Sequence, residues 1–155
     1  MTNGTNRKFE IELRYAQFTL HRADSISDDE LWATIETAAN ENAATYSDAE
    51  PYHPTRENHV LYARNAQGET RAFIVWQEWD GAKAFIGLAW THPGHRRTGL
   101  YRCLFLMLEG EALHRGLKAI SCYASAGNAA SMAAHDSLMK RRAVYFQKDI
   151  TPIQG

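Results

Sequence analysis

The chain has 155 residues, 45% apolar and 23% charged, with four Trp, seven Tyr and six Phe; this is the balance of one globular domain, not of two domains or a disordered segment. A formal net charge of −1 gives no whole-protein attraction to nucleic acid or an anionic membrane. Cys103 and Cys122 lie in apolar runs without disulfide or metal-type spacing, and the opening MTNGTNRKFE lacks a signal-peptide core. No run approaches the ~20 apolar residues of a membrane span, so a reduced, cytoplasmic single domain over 1–155 is expected, with residues 1–7 loose.

The even total hides an asymmetry. Residues 1–65 hold six Lys/Arg against eleven Asp/Glu, and residues 66–155 hold eleven against seven. An acidic part beside a basic part hints at two ligands of opposite sign.

In chain order, Lys8 to Leu20 alternates in part, with Phe9, Ile11 and Leu13 on one side, and reads as an opening strand. Ser27 with Glu30 forms a capping-box pattern, and Ile26 with Leu31 a hydrophobic staple. Leu31, Ile35 and Ala38 continue one apolar stripe, which predicts a helix from 28 to about 40. A loop-rich stretch follows, with a short extra helix around 41–46. HVLYAR, TRAFIVWQEW and AKAFIGLAWTH, separated by Asn65–Gly68 and by Asp80-Gly81, predict a three-stranded meander. Leu100, Cys103, Leu104, Met107, Leu108 and Ala112 fall at helical spacing within Thr98–Arg115, with Gly116 as the stop. LKAISCYAS reads as a buried strand, Asn128 to about Lys140 as a helix, and RAVYFQKDI as a last strand. The fold class is mixed α/β (α+β): a mostly antiparallel sheet flanked by helices, in the order β-α-(α)-β-β-β-α-β-α-β.

The chemistry concentrates in Thr91-His-Pro-Gly-His-Arg-Arg-Thr-Gly-Leu-Tyr-Arg102, which joins a strand to a buried helix. A glycine before a helix N-terminus lets backbone amides converge on an anion, and the helix dipole adds to the attraction. That predicts a phosphate or pyrophosphate site on the amides of 97–102, with Arg96, Arg97 and Arg102 as counter-charges. The plainer alternative is a capped helix entry with solvated arginines. A P-loop is excluded because Leu100-Tyr101 stand where Lys-Ser/Thr must be, and G-x-G-x-x-G is absent. His92-x-x-His95 has no Cys, Asp or Glu on that loop to complete a metal set.

Arg96-Arg97-Thr98-Gly99-Leu100-Tyr101 resembles the Arg/Gln-x-x-Gly-x-Gly/Ala coenzyme A loop of the Gcn5-related N-acetyltransferase (GNAT) superfamily, with Tyr101 in place of the last small residue. The order of elements around it matches that family. Asn128-Ala-Ala-Ser131 resembles a second family marker, and His135 stands where the family carries a Tyr; the usual following Gly-Phe is replaced by Met139-Lys140.

The resemblance implies a GNAT-like fold and acetyl-CoA as co-substrate, with no metal. Leu88, Ala89, Trp90 and Thr91 would pair through backbone groups with the pantetheine arm, one amide polarising the thioester carbonyl. Arg96, Arg97, Thr98, Gly99, Leu100, Tyr101 and Arg102 would hold the pyrophosphate, and Asn128 and Ser131 would touch the arm. His135 would protonate the leaving thiolate, although a half-exposed surface histidine has the same pattern, and Asn128 is equally an N-cap. Glu78 is the first candidate base, with His92 and Asp80 behind it, and a solvent-facing carboxylate is its simpler reading. Trp76, Trp79 and Trp90 read as core and sheet-face residues, Tyr62 and Tyr101 as possible pocket walls in kind but not by spacing, Cys122 as inert, and Lys140-Arg141-Arg142 as a helix-end charge cluster.

The expected activity is acetyl transfer to a primary amine by direct attack on the thioester. The acidic first part, Glu50 and Glu57 included, favours a cationic acceptor such as a polyamine, an aminoglycoside or a lysine side chain. Two rivals stand beside it: a non-catalytic module that keeps the fold and binds CoA or a partner, and an acyltransferase acting on a protein or charged tRNA. Charge disfavours nucleic acid and nothing favours a membrane partner; dimers are common in the family, so a homodimer is compatible with the resemblance.

Overall fold

The computed structural model describes residues 9–13, 16–46, 51–124, 128–140 and 148. The chain divides into two compact units, Met1–Tyr123 and Ala124–Gly155.

The first unit contains one sheet of six strands in chain order: β1 (Phe9–Leu13), β2 (Ala16–Ala23), β3 (His59–Asn65), β4 (Thr70–Trp79), β5 (Lys83–Thr91) and β6 (Ala119–Cys122). The first four pairings are antiparallel, and β5 with β6 is parallel. The single opening strand expected over 8–20 is corrected to a hairpin, with Leu13 opposite Ala16. The predicted meander is present. Asp80 and Gly81 both have positive φ, 57° and 63°, and with Ala82 they make the three-residue connection between Trp79 and Lys83.

Both sheet faces are covered, so the middle strands are almost continuously buried. Val60, Tyr62, Phe73, Val75 and Leu88 share one face and pack with Leu31, Ile35 and Ala38 of α1 (Asp29–Thr45). The alternate residues Leu61, Ile74 and Trp76 lie on the opposite face, where α2 (Leu100–His114) packs on β3, β4 and β5. Leu100, Leu104, Phe105, Leu108 and Ala112 form the buried stripe of α2. No helix among the described residues is long and apolar enough to cross a membrane.

Two local expectations are corrected. The N-cap of α1 is Asp28, not Ser27; its Oδ1 accepts the Leu31 N–H at 2.9 Å. Glu30 does not close a capping box because its carboxylate is drawn to Thr70 Oγ1 at 2.9 Å and Arg64 at 3.2 Å. The short extra helix around 41–46 is the last turn of α1, which runs on to Thr45. The expected last strand, RAVYFQKDI, lies outside the described residues except for Lys148.

The second unit contributes α3 (Ala129–Leu138), capped by Asn128, whose Oδ1 accepts the Ser131 N–H at 3.1 Å.

An ion cluster ties the end of α2 to the sheet. Arg115 donates to Asp24 at 2.7 Å, to Glu111 at 3.1 Å and to Glu78 at 3.2 Å, and lies over the Trp76 ring at 5.1 Å. Arg22 donates to Glu111 at 2.6 Å, and His59 packs on Trp76 with ring centroids 4.5 Å apart. Burial, and then Arg115, hold the His59 imidazole below its ordinary 6.5. The unfolded chain therefore takes up that proton first, and stability must fall as pH drops below about 6.5. Burial lowers His135 in the same direction. Thermal unfolding at pH 7.5 and 5.5 should show a lower Tm at 5.5, with a smaller difference in His59→Gln. An unchanged difference would remove His59 as a contributor.

Candidate acyl-transfer site

The parallel pairing of β5 and β6 covers only Lys83–Ile86 against Ala119–Cys122. Gly87 follows at once. On the other side of β5, Val75 pairs with Leu88 and Trp76 with Ile86, which leaves Gly87 as the extra residue of a β-bulge. From Gly87 to Thr91, β5 remains paired with β4 but has no strand on its outer edge among the described residues. That stretch spans about 13 Å at ~3.3 Å per residue. Unpaired N–H and C=O groups along such an edge invite an extended ligand that can supply the missing hydrogen bonds.

The edge leads into the basic loop. After Thr91 a short 3₁₀ turn, Pro93–His95, carries the chain to Gly99, which caps α2 with φ 87° and offers no side-chain cap. Arg97 also has positive φ, 60°, a conformation that costs a side-chain-bearing residue on the order of 1 kcal/mol. Thr98 Oγ1 donates to the His95 carbonyl at 2.6 Å, and Arg96 Nε to the Thr91 carbonyl at 3.2 Å. The first turn of α2 has no acidic residue, so its amides remain available to an anion. Arg96, Arg97 and Arg102 are exposed and have no acidic partner among the described residues. The expected cofactor residues of the first unit thus fall into two adjoining sets: the edge at Leu88, Ala89, Trp90 and Thr91, and the loop and helix start at 96–102. An edge without a second partner strand and a helix start without a side-chain cap, beside three arginines that have no acidic partner among the described residues, fit the amide-bearing arm and the pyrophosphate of coenzyme A.

On the α1 face, Trp90 stacks on Phe73 with centroids 5.7 Å apart and borders a groove of about 310 Å³ lined also by Glu30, Ala33, Thr34, Thr37, Ala38 and Glu41. Arg64 pairs with Glu30, so Glu41 is the carboxylate of the groove without an ion-pair partner among the described residues. Glu50 lies outside the described residues, and Glu57 is an exposed loop residue.

The candidate bases are spread apart. Glu78 lies opposite Ala84, near the Asp80-Gly81 turn, and its carboxylate is held by Arg115 on the α2 face; about seven residues of β5, roughly 23 Å, separate that register from Thr91. Asp80 forms the turn itself. His92 is beside the loop, where its Nδ1 accepts the Gly94 N–H at 3.0 Å, and burial, then Arg71 and His95, hold it below 6.5. In the second unit, Ser131 Oγ is 3.2 Å from His135 Nδ1, and burial holds that imidazole below 6.5. The lowering reduces the protonated fraction at neutral pH, which works against a proton-donor role. Burial pushes the Cys122 thiol up, as expected of an unreactive cysteine.

Tyr52 and Gly87, which meet where β5 parts from β6, are not among the residues expected from the sequence. A methyl group on Gly87 would fall inside the Tyr52 ring, so the two positions constrain one another. An isolated glycine within a strand pattern is the available signal for the bulge; nothing near Tyr52 announces its place.

The family profile described as the acetyltransferase (GNAT) family matches residues 23–139. The chain belongs to this family and is an acyltransferase of the N-acetyltransferase kind. No curated protein matches the sequence. Among solved structures, an aminoglycoside N-acetyltransferase in complex with CoA is similar at 12% identity and TM-score 0.61, over 90% of this chain and 100% of that one. An aminoglycoside acetyltransferase from an uncultured soil metagenomic sample, in complex with trehalose, is 12% identical at TM-score 0.60, over 86% and 97%. A ribosomal-protein-alanine N-acetyltransferase from Brucella melitensis biovar Abortus is 16% identical at TM-score 0.56, over 88% and 99%. These likenesses show a shared fold.

The contact at Gly87 yields a prediction. Gly87→Ala should destabilise the protein by about 2 kcal/mol through overpacking, and by much less in a Tyr52→Ala background. Denaturant unfolding of the two single variants and the double variant measures the coupling. Additive effects would mean that the ring and Gly87 do not meet.

Proposed function

We propose that the chain transfers an acetyl group from acetyl-CoA to a primary amine by direct attack of the amine on the thioester carbonyl. The observation that carries this reading is the edge of β5 beyond Gly87, open among the described residues, running into a helix start without a side-chain cap and flanked by three exposed arginines that have no acidic partner among the described residues. Arg96, Arg97 and Arg102, with the first amides of α2, hold the pyrophosphate; the 88–91 edge pairs with the amides of the arm. A backbone N–H near the bulge donates to the carbonyl oxygen and takes up the negative charge that develops there. The amine nitrogen forms the new bond to carbon as the carbon–sulfur bond breaks. His92, held neutral beside the loop, is the group best suited to receive the amine proton, directly or through water. Fixing both reactants in line supplies much of the acceleration.

The acceptor is a cationic amine, supported by the acidic first 65 residues and by the Glu41 end of the groove beside Trp90. Two of the similar proteins are aminoglycoside acetyltransferases; aminoglycosides are amines of this type, and a polyamine or a lysine side chain has the same chemistry. Neutralising Glu41 as Glu41→Gln should raise the acceptor KM about threefold, the effect of one exposed ion pair, with kcat little changed. No change with a di- or polyamine would exclude the groove as the acceptor site.

The cofactor reading is tested by thermal shift. Acetyl-CoA at 100 times its Kd should add about 2.7 kcal/mol to stability, and the shift should disappear in Arg96→Ala with Arg97→Ala. No shift at millimolar acetyl-CoA would remove the reading. His135 as the donor to the leaving thiolate predicts a kcat that falls as pH rises above its lowered pKa, a limb that His135→Gln should abolish. A limb that persists in His135→Gln takes His135 out of the reaction.

A further inference from the structure

Tyr52 is fixed where the β5–β6 fork closes. Its hydroxyl is 3.3 Å from Asn58 Oδ1 and 3.2 Å from Gln77 Oε1 and donates to one of them. Asn58 is itself held, with Nδ2 donating to Gln77 Oε1 at 3.2 Å and Oδ1 accepting the Thr55 N–H at 2.8 Å. The ring meets Phe85 edge-on, with centroids 6.2 Å apart, and occupies the space above the Gly87 α carbon. A side chain held by partners on β4, β5 and its own loop is a rigid wall.

The position of that wall gives it a function, granted the cofactor reading above. An arm anchored at the 96–102 loop and lying along 91–88 ends at Gly87. A group extending further meets the closed Ile86–Cys122 register in the plane of the sheet. On the α1 face it meets the Tyr52 ring. Near Cys122 it meets Tyr101, which is half-buried. We propose that Tyr52 sets the acyl-size limit of the enzyme: the space above Gly87 admits an acetyl group, and the ring turns away longer acyl chains. Tyr52 is a specificity-determining residue in this account, with the ring and not the hydroxyl as the operative part.

Binding of acyl-CoA esters tests this without knowledge of the acceptor. Calorimetric Kd values would be measured for CoA, acetyl-CoA, butyryl-CoA and hexanoyl-CoA with the wild-type protein, Tyr52→Phe, Tyr52→Leu and Tyr52→Ala. The wild type and Tyr52→Phe should bind butyryl-CoA at least about tenfold more weakly than acetyl-CoA, the scale on which a pocket rejects extra methylenes. Tyr52→Leu and Tyr52→Ala should bring the two within about twofold. The comparison is a ratio within each variant, so a general loss of stability does not mimic the effect, and Tyr52→Leu serves if Tyr52→Ala fails to fold. Wild-type protein that binds both esters equally, or an unchanged ratio in Tyr52→Leu while CoA still binds, overturns the assignment to Tyr52 alone. Failure of CoA itself to bind overturns the cofactor reading, and this proposal with it.

Discussion

The parting of β5 from β6 at Gly87 is the constraint on which the rest of the site depends. Up to Ile86 the two strands satisfy one another's backbone groups; beyond it β5 is paired, among the described residues, with β4 alone. Edge amides and carbonyls must find water or a ligand, and a ligand that carries amides in an extended chain suits them best. The bulge does two things at once. It breaks the register with β4 by one residue, and its lack of a Cβ admits the Tyr52 ring. The same glycine therefore marks the point where the edge begins and brings a wall close to it.

Charge is arranged to complement this geometry. The acidic side chains around the two helices have cationic partners of their own: Asp24, Glu78 and Glu111 in Arg115, and Glu30 and Asp28 in Arg64. Arg96, Arg97 and Arg102 are left facing solvent beside a helix start whose amides have no cap. The backbone there is costly, with positive φ at both Arg97 and Gly99, as is often found where a loop is shaped for a ligand and not for stability alone. The ion cluster at the far end of α2 fastens the other terminus of the same helix, so the end that follows the basic loop is carried by an element anchored on the sheet.

Much of this was legible in the residues. The meander is announced by Asp80-Gly81 and by three apolar runs, α2 by its apolar spacing and by Gly99 and Gly116, and the basic loop by its composition. The misses have physical causes. Ser27 and Asp28 are both competent caps, and Asp28 takes the role while Glu30, the capping-box partner that Ser27 would need, is held by Arg64 and Thr70 more than thirty residues away. The hairpin of β1 and β2 carries no Gly, Pro, Asn or Asp at its turn, so local propensity could not mark it. Glu78 in a strand pattern is a carboxylate of unknown surroundings until the fold brings Arg115 to it. Gly87 was visible as a lone glycine in a strand, yet its meaning depends on where β6 stops. Tyr52 acquires a role only through contacts with β4 and β5, which no local pattern encodes.

Backbone amide hydrogen exchange with and without coenzyme A tests the central claim most directly, because it reads the edge itself. The account predicts slowed exchange at Leu88–Thr91 and at the first amides of α2 when CoA binds, with little change at Lys83–Ile86, which β6 already protects. Saturation with CoA that leaves the 88–91 and 100–102 amides unchanged, or that protects a different part of the sheet, would contradict it.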